Sequence, residues 1–135
     1  NYGGVINKMP IFTAFAVFFA MANAGLPGTS GFVGEFMVIL GAMKENFWIA
    51  FIAATTLILG AAYSLWLIER VFYGDIGNAK VGNLSDIKSK DFIVLGTLAS
   101  LILFVGVYPK IISDITNSSV LQFIELISFS KAAIL

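Results

Sequence analysis

Apolar residues in this chain fall into blocks far longer than a globular core element needs, with polar residues gathered between them. The first block runs from Pro10 to Met43, 34 residues in which Glu35 is the only ionisable side chain. As one helix it would measure about 51 Å against a hydrocarbon core of about 30 Å, so it cannot stand upright in a bilayer as a single rod. The run Gly25-Leu26-Pro27-Gly28-Thr29-Ser30-Gly31 resolves the excess. Pro27 removes a backbone donor, while Gly25, Gly28 and Gly31 permit conformations a helix does not use. The pattern predicts half-helices over about 10–24 and 31–43 joined by an unwound segment at 25–30. Unwound backbone at membrane depth is stable only where protein or a water-filled cavity covers it, so the break should face a neighbour and not lipid.

Two further blocks, 47–70 and 92–108, are each long enough to span, and Pro109 stops the second. Trp48, Trp66, Tyr73 and Tyr108 stand near their ends, as interfacial aromatic residues do. The expected organisation is a polar lead-in at 1–9, the broken span at 10–43, a span at 47–70, a polar loop at 71–91, a span at 92–108 and a weakly apolar tail at 109–135. The fold class is therefore all-α, polytopic and transmembrane, with three spans of which the first is broken. The tail reads as an interfacial helix or a loose end. The opening at Asn1 and the length of the first apolar block argue against a signal peptide and for a piece of a longer protein.

Composition narrows the function classes. With 59% hydrophobic and only 12% charged residues the chain does not resemble a soluble domain. Eight basic and eight acidic residues cancel without forming a basic patch, which sets nucleic acid aside as a partner. The sequence holds neither Cys nor His, so thiolate or imidazole ligation of zinc, haem or an iron–sulfur cluster, and His-based catalysis, have no residues to use. Lys8, Arg70, Lys80, Lys88 and Lys90 fall on one side of a three-span topology and Lys44, Lys110 and Lys131 on the other. The positive-inside rule then places the 71–91 loop in the cytoplasm, or in the matrix of a mitochondrion.

Glu35 is the candidate functional residue. A carboxylate in the bilayer costs about 2.5–3.5 kcal/mol on insertion scales, and such residues mark ion or proton pathways more often than they serve packing. The structural alternative is a protonated acid hydrogen-bonded to a neighbouring helix, since desolvation favours the neutral form. Phe15, Phe18 and Phe19 read as packing, Gly60-Ala61-Ala62 as a place of close helix approach, and Lys44, Glu45, Glu69 and Arg70 as solvated charges at span ends.

The string Ala24-Gly25-Leu26-Pro27-Gly28-Thr29-Ser30-Gly31-Phe32-Val33-Gly34-Glu35-Phe36 resembles the broken-helix signature of the antiporter-like subunits of NADH:quinone oxidoreductase (respiratory complex I). Lys8-Met9-Pro10, Leu59-Gly60-Ala61-Ala62-Tyr63-Ser64-Leu65-Trp66-Leu67, Arg70-Val71-Phe72-Tyr73-Gly74 and Gly106-Val107-Tyr108-Pro109 extend the likeness from about residue 3 to residue 112. The sister subunits and the related sodium/proton antiporters typically carry Lys where this chain has Glu35, whereas the subunit M (chain 4) branch carries Glu.

The resemblance implies the C-terminal part of a fourteen-helix bundle built on inverted repeats, with this chain holding the second broken helix. It implies that Glu35 accepts and releases protons at the exit end of a path, with the break residues Gly25, Pro27, Gly28, Thr29, Ser30 and Gly31 opening the helix beside it. The family's other intramembrane Lys and Glu residues would lie upstream of Asn1. No cofactor is expected on this chain; NADH, flavin, iron–sulfur clusters and quinone would belong to partner subunits. The implied partners are the other membrane subunits of complex I, above all neighbouring antiporter-like subunits, together with the lipid bilayer. The implied location is a bacterial plasma membrane ahead of a mitochondrial inner membrane. A multisubunit cation/proton antiporter or membrane-bound hydrogenase subunit is the alternative within transport, and a structural membrane scaffold is the alternative outside it. The charge distribution yields a direct test. Lys80→Cys in intact membranes should react with an impermeant thiol reagent only from the cytoplasmic or matrix face, and labelling only from the opposite face would reverse the orientation.

Overall fold

The computed structural model describes residues 3–132, so residues 1–2 of the lead-in and 133–135 of the tail lie outside it. Among the described residues there are helices and no strands. A 3₁₀ turn at Val5–Asn7 precedes α1 (Pro10–Asn23), α2 (Ser30–Glu45), α3 (Phe47–Phe72), the single turn α4 (Ala79–Gly82), α5 (Ser89–Val107) and α6 (Lys110–Ala132). Both α3 and α5 are long and apolar enough to cross a membrane. Large apolar side chains such as Trp48, Ile52, Ile58, Ile93 and Val94 are exposed on their outer faces.

The helix boundaries follow local chemistry. Pro10 occupies the first turn of α1, where its missing N–H costs no hydrogen bond. A single residue, Asn46, turns the chain from α2 into α3. Its N–H donates to the Ala42 carbonyl at 2.9 Å, and its side-chain oxygen accepts from the N–H groups of Trp48 at 2.9 Å and Ile49 at 3.4 Å. That cap satisfies donors the first turn of α3 would otherwise leave open. The resulting hairpin lays α3 back along α2 and then along α1, so the two half-helices stack in sequence on one long partner. On the other side α5 packs against both.

Hydropathy alone misplaces some ends. The helix at 89–107 begins with the polar turn Ser89-Lys90-Asp91, where the Asp91 carboxylate accepts from the Lys88 N–H at 3.4 Å. The tail is a helix from Lys110 to Ala132, not a loose end. Pro109, which stops α5, also starts α6, because its carbonyl accepts from the N–H groups of Ile112 and Ser113 at 3.1 Å each.

The lead-in and the 71–91 loop, read as polar connectors, supply much of the core. Val5, Ile68, Phe72 and Val81 are buried together, with Met9, Phe12, Ala16 and Val17 against them. Backbone hydrogen bonds tie the two segments, from the Gly4 N–H to the Tyr73 carbonyl at 3.1 Å and from the Gly77 N–H to the Gly3 carbonyl at 3.4 Å. Phe15, Phe18 and Phe19 of α1 do pack, with Phe15 edge-on to Phe92 of α5 at 5.5 Å between centroids and Phe19 against both Phe15 and Phe18. Among the described residues a Cβ on Gly60 would meet only Tyr63 of its own helix, at 3.9 Å.

Met9, at the N-cap of α1, gives no side-chain cap, and a residue far along the chain supplies one. Asp86 accepts from the N–H groups of Ile11 at 2.8 Å, Phe12 at 3.1 Å and Ile87 at 2.8 Å. A negative charge at a helix N-terminus is doubly favourable, through the open donors and the helix dipole. Partial desolvation pushes the Asp86 carboxyl up, but the donations from Ile11, Ile87 and Phe12 outweigh it and hold the group below the ordinary carboxylate range. The linkage sign follows. A depressed folded-state pKa gives stability that is present in full above the unfolded pKa of about 3.9 and is lost as pH falls through the folded value. Asp86→Ala should therefore lower the thermal stability of the assembled subunit at neutral pH, and the difference from the parent should shrink below about pH 4. Thermal unfolding across pH checks both parts.

Candidate functional site

The break is built residue by residue from the sequence that predicts it. α1 ends in a Schellman arrangement, with the Gly25 N–H donating to the Ala22 carbonyl at 3.3 Å and the Leu26 N–H to the Met21 carbonyl at 3.0 Å. Gly25 has φ +79°, a left-handed conformation that costs an L-residue about 1–2 kcal/mol. The next turn sets Pro27 second and Gly28, at φ +92°, third, the residue pattern of a type II turn. Thr29 closes it. Its N–H and hydroxyl both donate to the Leu26 carbonyl, at 3.1 and 2.7 Å, and the hydroxyl also reaches the Ala22 carbonyl at 3.5 Å. Thr29 is 1% exposed, so its hydroxyl serves the backbone and not solvent. The non-helical segment is 24–29, and Ser30 is already the first residue of α2.

Two glycines let other backbone approach the break. A Cβ on Gly31 would strike the Ala22 carbonyl oxygen, which fixes the start of α2 against the end of α1. A Cβ on Gly106 of α5 would strike the Gly28 carbonyl oxygen and lie 2.5 Å from the Thr29 carbonyl carbon. The cover that unwound backbone needs is thus provided by α5.

Glu35 lies in the second turn of α2, and its side chain reaches back toward the break. Its Oε2 is 2.8 Å from the place a Gly25 Cβ would take, and Leu57 of α3 is 3.4 Å from that same place. The carboxylate forms a common wall of two open cavities. One, of about 320 Å³, is lined by Asn23, Ala24, Glu35, Thr56, Leu57, Gly60 and Tyr63. The other, of about 460 Å³, extends toward the α2–α3 turn and is lined by Ser30, Gly31, Gly34, Glu35, Val38, Ile39, Ala53 and Thr56. Thr56 is nine residues into α3 from Phe47, about 14 Å along the helix, so this wall lies well inside the apolar length.

The sequence-predicted residues therefore converge: Gly25 and Glu35 touch, Gly28, Thr29 and Gly31 shape the break, and Ser30 lines the larger cavity with Glu35. Pro27 remains exposed at the turn. Asn23, Thr56 and Tyr63 escaped the sequence reading. Asn23 is the one amide side chain between Pro10 and Met43, and Thr56 and Tyr63 are seven apart on α3, a spacing that puts both on one helix face. The Asn23 amide donates to the Tyr63 hydroxyl at 3.4 Å. Among the described residues no cluster of three Asp or Glu side chains is placed to hold a metal ion.

This geometry makes the glycines sensitive. Gly25→Ala should combine left-handed strain of about 1–2 kcal/mol with displacement of the Glu35 carboxylate. Gly106→Ala should drive α5 off the break at a cost of about 1–3 kcal/mol. Thermal unfolding of the assembled protein checks both, and each should fall below an Ala substitution at Gly34, where a Cβ meets nothing within 4 Å.

The chain is similar to known membrane proteins. Residues 1–60 match the family described as NADH:quinone oxidoreductase/Mrp antiporter, transmembrane. NADH-quinone oxidoreductase subunit M of Rhodobacter capsulatus is 41% identical over 124 residues, 92% of this chain and 24% of that protein. NADH-ubiquinone oxidoreductase chain 4 of Marchantia polymorpha is 38% identical over 124 residues, 92% of this chain and 25% of that protein. The chain thus spans about a quarter of the length of the curated relatives it matches. Among solved structures, a chain of respiratory complex I from Thermus thermophilus with bound NADH superposes with a TM-score of 0.73 at 32% identity, over 84% of this chain and 23% of that one. With its broken helix, its two long apolar helices and these likenesses, the chain belongs to the antiporter-like membrane subunits of NADH:quinone oxidoreductase, of the subunit M (chain 4) kind.

Proposed function

We propose that this chain forms part of the membrane arm of a proton-translocating NADH:quinone oxidoreductase and that Glu35 is the group that takes up and releases the proton at the exit end of one pathway. The observation that carries this reading is the placement of Glu35 as the shared wall of two cavities beside a helix break. A carboxyl group in an apolar setting is held neutral by the cost of desolvating its charge, and water or a cation beside it reverses the balance. Space on both sides lets the group meet water from one direction and then the other.

In this reading the chain carries no redox cofactor, and NADH, flavin, iron–sulfur clusters and quinone belong to partner subunits. The partners are the other membrane subunits, among them neighbouring antiporter-like ones. The end of the bundle where the lead-in meets the loop carries Lys8, Arg70, Lys80, Lys88 and Lys90, which supports placing that end in the cytoplasm or matrix. The relatives come from bacteria and from eukaryotes. We place this chain in a bacterial plasma membrane.

In the intact complex, Glu35→Gln keeps the volume and local hydrogen-bonding capacity but has no titratable proton, and Glu35→Asp keeps the acid with a shorter reach. The Gln variant should lose roughly tenfold or more in proton pumping and coupled NADH–quinone turnover, and the Asp variant should keep much of both, with normal assembly in each. Pumping is measured in proteoliposomes alongside the amount of assembled complex. Normal pumping by the Gln variant would assign Glu35 to structure and leave a scaffold role as the better reading.

A further inference from the structure

The lead-in and the loop after α3 are joined at more points than two connectors need. The Gly4 N–H donates to the Tyr73 carbonyl at 3.1 Å, the Asn7 amide to the Gly74 carbonyl at 3.2 Å and the Gly77 N–H to the Gly3 carbonyl at 3.4 Å. Gly4, at φ +75°, lies so close to the loop that a Cβ there would be 2.7 Å from the Asp75 carbonyl carbon and from the Ile76 nitrogen. Farther along, Val81 is buried with Val5 of the lead-in, and Asp86 accepts from the N–H groups of Ile11 and Phe12. Residues 73–86 thus form a strap held at both ends and in the middle, each time on the lead-in or the start of α1.

From this arrangement we infer that the strap sets the axial position of α1, and that Asp86 is a positioning residue for Glu35, acting through that helix. The inference rests on the proton-carrying role proposed for Glu35 and names the part of the fold that holds the site in register. Among the described residues, the side-chain hydrogen bonds that tie α1 to distant parts of the chain are at its two ends, from Ile11 and Phe12 to Asp86 and from Asn23 to Tyr63. Between them the contacts are apolar, with Phe12, Ala16, Val17 and Ala20 on the core and Phe15 on Phe92. Apolar contact has no preferred direction, and packed helices slide past one another by small amounts. Directional hydrogen bonds therefore decide where along its axis α1 stops. The tie at Asp86 is the stronger of the two, at 2.8 and 3.1 Å against 3.4 Å for the bond from Asn23. A helix of 14 residues is a stiff rod about 21 Å long, so a shift admitted at Ile11 arrives nearly whole at Asn23 and at Gly25 two residues on. There the tolerance is small. The Glu35 Oε2 is 2.8 Å from the place a Gly25 Cβ would take, so a slide of about 1 Å presses the end of α1 onto the carboxylate or opens a gap beside it.

The test uses the intact complex in proteoliposomes, with pumping divided by the amount of assembled complex. Asp86→Ala removes the acceptors altogether, Asp86→Asn gives up the bond from Ile11 and keeps those from Phe12 and Ile87, and Gly4→Ala forces the strap off the lead-in at its other end. The second readout is the pH profile of coupled turnover, which a simple loss of stability leaves in place. Of the elements packed on α2, α1 carries no ionisable side chain, α3 brings Tyr63 to the cavity beside Glu35 and has Glu69 and Arg70 at its loop end, and α5 has Lys90 and Asp91 at its own. We expect Asp86→Ala and Gly4→Ala each to lower pumping per assembled complex about threefold or more and to move the pH profile by about half a unit or more, with Asp86→Asn between them and the parent. Gly82→Ala, where a Cβ on the same loop meets nothing within 4 Å, should match the parent. Combined with Glu35→Gln, Asp86→Ala should add no further loss, because both act at one site. If Asp86→Ala lowers thermal stability but leaves pumping per complex and the pH profile unchanged while Glu35→Gln pumps poorly, Asp86 is a helix cap and no more, and the inference is overturned with the Glu35 reading left standing. An Asp86→Asn variant that matches the parent in both readouts overturns it as well, whether or not the Ala variants assemble. Normal pumping by Glu35→Gln would instead remove the group being positioned, and both readings with it.

Discussion

A helix interrupted inside a bilayer leaves backbone donors and acceptors with no water to receive them, at a cost of several kcal/mol for each unsatisfied group. Most of this structure can be understood as the means of avoiding that cost at residues 24–29. The first means is local: two Schellman hydrogen bonds close the end of α1, and Thr29 turns both its N–H and its hydroxyl onto carbonyls of the break. The second is tertiary. α5 approaches closely enough that Gly106 lies against Gly28 and Thr29, and α3 is folded back by Asn46 so that it runs past both half-helices. Only glycine at 106 allows that approach, so a residue some eighty positions downstream is as much part of the break as Pro27.

The break and the carboxylate are not independent features. Gly25 is required twice, once for its left-handed backbone and once because the space its missing Cβ leaves is where the Glu35 oxygen lies. A helix that broke elsewhere, or with a larger residue at its cap, would push the acid away from α1. The carboxylate is thereby set as the shared wall of the two cavities on either side of it.

Much of this was readable from the chain. Pro27 among three glycines placed the break within one residue at each side, and the apolar lengths located α3 and α5. Local chemistry has local signals. Asp86 gave none, because its role as cap for α1 depends on a loop returning across 75 positions to Ile11, and nothing in the sequence near either residue marks the pairing. Val5 and Val81 likewise sit in segments whose composition is polar, yet one contact between those segments buries both. The tail was obscure for another reason. Its Ser and Asn residues weaken the apolar signal but do not prevent a helix that begins on Pro109, and the Ser113 and Thr116 hydroxyls donate back to the carbonyl a turn earlier. Asn23 and Tyr63 were missed because each alone is an unremarkable polar residue, and the site exists only in their juxtaposition.

Burial within the chain is uneven along the broken helix. The start of α1 is pinned by Asp86 and packed against Ile68, Phe72 and Val81 at the loop end, with Thr13 and Ala22 buried along it. α2 buries no residue completely and is held by its hairpin to α3 and by the close contacts of Gly31 and Gly106 at its first turns. Buried side chains are thus concentrated on the first half-helix, while the second is held by its packing on α3 and α5. The titratable group is on the second, while Asn23, Gly25 and the core belong to the first. Any displacement of α2 that moved Glu35 away from Gly25 would also move the α2–α3 hairpin and the close contacts of Gly31 and Gly106. The carboxylate thus sits on the half of the span fixed by helix packing and glycine contacts, with Asn23 and Gly25 beside it on the half fixed by buried side chains.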